Sequence, residues 1–266
     1  MMKHLFYSTL KISLFCVIFS TGYAFQSENS NPPAPGFNAQ DSDPKAIAIA
    51  DEVMEKMGGR KAWDQTRYFT WKFFGRRFHV WDKLTGNIRV ESRGTVTLMN
   101  IHTRKGRAWK NGTEITHKDS LAKSLDGGYR AWINDSYWLV MPYKLKDSGV
   151  TLKYLREGNM QDGRKADVLQ LTFSKVGVTP QNKYEVFVDK KSRLVEEWSF
   201  FSTADAEAPR FTMPWIEWKQ HGKILLSANR GKRGHTDIAV FDELPDSVFS
   251  NPGTVDILSF PAAKLK

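Results

Sequence analysis

Cysteine is almost missing from this chain. Its 266 residues hold one, Cys16, inside the apolar run of residues 12–19. A lipoprotein signal places small residues before its cysteine, whereas Leu14 and Phe15 precede this one, so no lipid anchor is expected there. Cleavage after Ala24 would leave a chain with no cysteine, which excludes disulfides and thiolate metal sites. Long apolar runs are missing too. A permanent membrane span needs about 20 apolar residues, and no stretch reaches that length without charges. Blocks of like charge are also lacking. The formal net charge of +10 is spread along the chain, as on a solvated basic surface. In an exported protein that charge suits anionic lipid head groups or phosphorylated glycans, and no nucleic-acid partner is expected.

Signatures of catalysis are equally scarce. There is no Gly-x-Ser-x-Gly elbow, no His-Glu-x-x-His and no glycine-rich phosphate loop between strand and helix. His79, His102, His117, His221 and His235 are scattered, with no two at ligand spacing. Each is expected as a surface or strand histidine, and no metal site is expected. Glu196 and Glu197 are neighbours in a strand pattern and point to opposite faces, so they cannot form the facing carboxylate pair of a glycosidase. Asp135 reads as a local backbone cap. No catalytic residue and no cofactor are expected.

What is present begins with an export signal. Lys3, His4 and Lys11 form a basic start, the apolar run follows, and Gly22-Tyr23-Ala24 supplies small residues for a signal peptidase. Residues 1–24 are therefore read as a signal peptide cleaved near Ala24, which places a soluble protein in the periplasm. Residues 25–43, rich in Ser, Asn, Pro, Gln and Asp, read as a flexible linker. Residues 44–266 show no interior linker and no repeat, and are expected to form a single β-rich domain.

That domain opens with a helix. Asp43 can cap it, Pro44 suits its first position, and Ala46, Ala50, Val53 and Met57 make an apolar stripe ended by Gly58-Gly59. From Thr66 the period changes to two. Phe69, Trp71 and Phe73 share one face, and Gly75 interrupts, read as a bulge. Strands are expected over residues 77–81, 87–91, 95–101, 107–110 and 113–115, the last two joined by Asn111-Gly112. Two short helices, 119–125 and 129–139, precede Met141-Pro142. Further strands follow over 151–155, 167–173, 183–189, 194–201, 211–219, 224–230 and 236–241. Many consecutive strands and few helices define a mostly β fold, a curved antiparallel sheet with a few capping helices. Nine tryptophans, several on both faces of their strands, need such a curved sheet with helices against its concave side to bury them.

Two segments stand out. In residues 134–145 a polar cluster runs into Tyr137-Trp138-Leu139-Val140-Met141-Pro142, an aromatic end that must enter something apolar, as a lid over a core or a gate over a lipid pocket. In Arg230-Gly231-Lys232-Arg233-Gly234-His235, glycines let the backbone approach an anion while Arg230, Lys232 and Arg233 neutralise it.

Three motifs carry a resemblance. Gly58-Gly59-x-x-Ala62-Trp63, then Asn134-Asp135-x-Tyr137-Trp138-Leu139-x-Met141-Pro142-x-Lys144-Leu145, and the closing Phe241-Asp242-Glu243-Leu244-Pro245 resemble an uncharacterised family of exported bacterial proteins. That family in turn looks like the outer-membrane lipoprotein carrier (LolA/LolB-like) superfamily. The resemblance implies an unclosed β-barrel capped by helices, with an apolar cavity that shelters acyl chains. The expected function is that of a periplasmic, non-enzymatic binder or carrier of an acyl-bearing or other apolar ligand, acting as a monomer. Its partners would be that ligand, an envelope lipoprotein or a membrane surface. The residues expected to line the cavity are Trp71, Phe73, Phe78, Met99, Trp138, Met141, Trp198 and Phe200. Two other classes remain open: a hydrolase or lyase acting on envelope glycans, and a protein-interaction or sensor module.

Overall fold

In a computed structural model, which describes residues 30–174 and 176–264, the alternating stretches pair as antiparallel hairpins. The signal-peptide reading of residues 1–24, Cys16 included, lies outside the described residues. The first strands are β1 (Tyr68–Phe73), β2 (Arg77–Asp82), β3 (Asn87–Ser92), β4 (Thr95–Asn100), β5 (Gly106–Lys110) and β6 (Thr113–Glu114). After a helix come β7 (Val150–Asn159), β8 (Lys165–Phe173), β9 (Lys183–Asp189), β10 (Val195–Phe201), β11 (Phe211–Pro214), β12 (Ile216–His221), β13 (Ile224–Asn229) and β14 (His235–Phe241). One sheet runs β14-β1-β2-β3-β4-β5-β6, a second β11-β10-β9-β8-β7, and β12-β13 form a ribbon. The fold is mostly β, and none of these antiparallel sheets closes into a barrel.

Register decides which side chains meet. Trp71 lies opposite His79 and Phe69 opposite Trp81, so these four share the face turned to the main core. Phe78 and Val80 fall on the other face, in a smaller cluster with Tyr68, Phe241 and Leu244. The C-terminal segment with α4 (Ser247–Ser250) covers that side. Buried Arg89 ties it down, donating to the carbonyls of Val248, Asn251 and Gly253. Gly75 is not a bulge. With Phe74 it makes the turn of the β1–β2 hairpin, since Phe73 pairs directly with Arg77. The bulge lies across the sheet, where the β1–β14 register shifts between Thr70 and Lys72 and Asp237 takes a φ of +55°. An extra residue there bends the sheet.

Helices fill the concave side. α1 (Pro44–Lys56) buries Ala46, Ile49, Ala50, Val53 and Met54 along its apolar stripe. α2 (Gly59–Gln65) follows a tight joint at Gly58, whose φ is +113° and where a Cβ would lie 2.3 Å from the Lys223 carbonyl. Only glycine fits that approach. The two short helices expected after residue 118 are one helix, α3 (Lys118–Val140). Gly127-Gly128 does not break it, because the helix there rests on β4. A Cβ on Gly128 would come within 2.8 Å of Thr97 Cγ2, whereas one on Gly127 meets nothing. Gly127→Ala should therefore raise stability by about 0.5–1 kcal/mol through helix propensity. Gly128→Ala should lower it by about 1 kcal/mol or more through overpacking. Thermal melts of the two variants read the difference in sign.

The described part of the segment read as a flexible linker is docked. The Ala34, Asn38 and Asp43 amides donate to the carbonyls of Lys146, Val150 and Leu152. Phe37 packs on the core. The edge of β7 needs backbone partners, and this polar segment supplies them despite its composition.

Candidate ligand site at the rim of the sheets

α3 passes into a 3-10 turn, Met141–Lys144, and that transition places the site. An α-helical Trp138 carbonyl would accept from the amide of residue 142, but Pro142 has none. Two side chains from the opposite strands answer instead. Arg230 Nη2 donates to the Trp138 carbonyl at 2.7 Å and His235 Nε2 at 3.1 Å. Arg230 also donates to Ser227 Oγ and to the Asn229 carbonyl, and lies over the Trp215 ring at 3.5 Å. It is buried, so it is a structural pin, whereas its neighbours Lys232 and Arg233 are exposed. Burial pulls its guanidinium below the usual arginine range, yet a guanidinium stays protonated. His235 is held neutral, its pKa lowered to about 3 by burial and by the Arg230 charge beside it. Farther along, the Tyr143 hydroxyl sits between the carbonyls of Met57 and Leu225, and its ring stacks on Trp63 at 4.4 Å. Both ends of the transition are thus fixed.

One turn before Trp138 lies a buried charge cluster that the sequence reading missed. Asp135, expected as a backbone cap, is fully buried and accepts two 2.6 Å hydrogen bonds from the Arg77 guanidinium. His79 Nε2 donates to it at 2.7 Å and Asn134 Nδ2 at 2.8 Å. His79, expected on a surface or strand, is buried and stacks on Trp71 with centroids 4.6 Å apart. Burial alone pushes the Asp135 carboxyl up, but the Arg77 and His79 hydrogen bonds outweigh it and hold it below the usual range. Burial pulls His79 down despite the Asp135 bond, so it is neutral and carries its proton on Nε2. A signal was available. Arg77 and His79 share strand parity with Trp81 on a face otherwise apolar, which demands a buried counter-charge.

Between these two anchors opens a cavity of about 580 Å³, within the range of roughly 300–1,000 Å³ that small-molecule sites occupy. Its apolar wall is Phe73, Phe74 and Trp138. Its polar wall comes from the β1–β2 turn, with Arg76 and Arg77, and from the β13–β14 turn, with Lys232 and Arg233, together with Asn134. No carboxylate lines it among the described residues. Phe74 holds a φ of +47°, costly for a bulky side chain. It stacks on Phe73 at 4.0 Å and on His235 at 5.4 Å, and meets Trp138 edge-on at 5.3 Å.

The residues expected to line a hollow divide three ways. Phe73 and Trp138 line the cavity, joined by Lys232 and Arg233. Trp71, Met141 and Trp198 are buried within the main core, with Phe200 packed against it. Those four pack with α1, the end of α3 and the 3-10 turn. Phe78 lies across the sheet in the second cluster, and Met99 sits with Ile88 and Val90 under α3. Arg230 stands behind the cavity as the pin of Trp138. Among the described residues no group of acids, histidines and cysteines is arranged to hold a metal.

The arrangement defines a class: an unclosed antiparallel half-barrel, helix-plugged, with a small basic and aromatic cavity at its rim. No family model and no curated protein matches the sequence. Among solved structures the chain is similar to a DUF1329 family protein from Desulfovibrio piger, 14% identical, with 79% of this chain and 98% of that one covered and a TM-score of 0.43. It is also similar to a LolA superfamily protein from Nitrosomonas europaea, 12% identical, with 77% and 96% covered and a TM-score of 0.39.

Proposed function

We propose that this protein is a non-enzymatic binder or carrier of an acyl-bearing or other apolar ligand in the bacterial cell envelope. In this reading residues 1–24 direct export to the periplasm and residues 44–266 act as one unit. The ligand's apolar part lies on Phe73, Phe74 and Trp138, and the basic turns face its polar end. The observation that carries the reading is the 580 Å³ rim cavity, whose aromatic wall includes Phe74 in a backbone conformation that its side chain disfavours. Such strain is kept where the ring has work elsewhere.

Phe74→Gly tests this cleanly, because glycine takes the left-handed turn without strain. Losing one ring from an apolar contact should weaken uptake of a fluorescent fatty acid by about tenfold or more. Stability should stay within about 1 kcal/mol, since relieved backbone strain offsets the lost stacking. Native mass spectrometry of the wild-type protein from a bacterial periplasm should show a bound lipid-sized mass. Bare protein under gentle conditions, with no fatty-acid uptake, would count decisively against the reading.

A further inference from the structure

We infer that the ligand's polar end is a phosphate ester, held between Arg76 of the β1–β2 turn and Lys232 and Arg233 of the β13–β14 turn; this rests on the carrier reading above. Four cations reach the cavity, but they are not equivalent. The Arg77 charge is already matched by the bidentate Asp135 carboxylate. Arg76, Lys232 and Arg233 are exposed and form no ion pair among the described residues. Among the described residues no carboxylate in the lining offsets them. Three unmatched like charges on two facing turns repel one another, and a ligand that neutralises them is favoured for that reason alone.

The size of the charge selects the ligand class. A carboxylate brings one negative charge, whereas a phosphate monoester brings about 1.5 to 2 and three strong acceptor oxygens. Guanidinium forks match phosphate oxygens in pairs, and an ammonium adds a point charge. A zwitterionic head with a terminal quaternary amine would place a cation among cations. Arg233 also leans over the Phe74 ring, 5.6 Å from its centroid, so the charged and aromatic walls are continuous. A phosphate joined to an acyl chain through a short linker spans both.

Titration calorimetry on the full chain with three probes decides the matter. The probes are a monoacylglycerol phosphate, the monoacylglycerol of the same chain below its aggregation concentration, and glycerol phosphate. The acyl phosphate should bind at least about tenfold more tightly than the neutral acyl probe at low salt, and the gap should shrink as salt rises. In the triple variant Arg76→Gln, Lys232→Gln, Arg233→Gln the two affinities should converge. These side chains are exposed, and an unchanged urea midpoint confirms the fold. Equal wild-type affinity for both acyl probes overturns the phosphate assignment and leaves the carrier reading standing. Glycerol phosphate binding as tightly as the acyl phosphate does the reverse. If none of the three binds, both ideas fall.

Discussion

Replacing Asp135 with alanine should cost about 3–5 kcal/mol of unfolding free energy, the loss expected when one partner of a buried ion pair is removed. The carboxylate is fully buried and receives Arg77, His79 and Asn134 together. Without it, the partly buried Arg77 guanidinium has no counter-charge, and His79 keeps an Nε2 proton with nowhere to donate. Asp135→Asn should lose nearly as much, because the amide turns a donor toward one of those two donors. Arg77→Met should also destabilise, for the opposite reason, by leaving a buried carboxylate with only neutral partners. Urea unfolding of the three variants measures this. A loss below about 1 kcal/mol in Asp135→Ala would mean that the cluster is far wetter than its burial indicates. The pH sense follows from the depressed Asp135 carboxyl. Its contribution is present above the unfolded carboxylate pKa and disappears as pH falls through the lower folded value.

The sheets were legible because strand pairing obeys a local code. The parity of Phe69, Trp71 and Phe73 placed these three on one face of β1, the face turned to the main core, and Asn111-Gly112 announced the β5–β6 hairpin. Errors arose where a distant element overrode that code. The stretch around Gly127-Gly128 reads as a gap between two short helices until β4 is known to press against the chain at Gly128, leaving no room for a Cβ there. The proline-rich stretch before residue 44 reads as a tether until the open edge of β7 supplies its hydrogen-bond partners.

The site was legible in its parts but not in its assembly. Phe73, Trp138, Lys232 and Arg233 could be picked out by residue type. Their meeting at one rim depends on the β1–β2 turn facing the β13–β14 turn, and on a strand order in which β14 pairs with β1. Nothing local encodes that pairing between residues about 165 positions apart. The inward turn of Arg230 was hidden for a related reason. Beside Lys232 and Arg233 it looks like one more surface cation, yet it turns inward to serve a carbonyl that Pro142, far away in sequence, leaves without a donor.

Stability should fall as pH drops from 6.5 to 5, and His235 should account for about 1.6 kcal/mol of the fall. The folded protein holds this imidazole neutral, with a pKa lowered to about 3 by burial and by the neighbouring Arg230 charge. The unfolded chain protonates it near 6.5. Between those values the unfolded state binds more protons, so stability rises with pH by about 1.4 kcal/mol per unit. The contribution is complete above the unfolded value and is lost steadily below it. His79, lowered by burial, and His221, lowered in the same way, act in the same direction. Glu196 and Glu197, raised by burial, oppose them at the acid end. Comparison with His235→Gln removes these shared contributions, because the glutamine amide keeps a donor for the Trp138 carbonyl and has no proton to gain. Urea unfolding at pH 5, 6 and 7 should give a wild-type slope steeper than the variant's by about 1.2 kcal/mol per unit over the lower half of that range. Parallel slopes would show that the imidazole is solvated in solution, and that the Trp138 carbonyl is held by Arg230 alone.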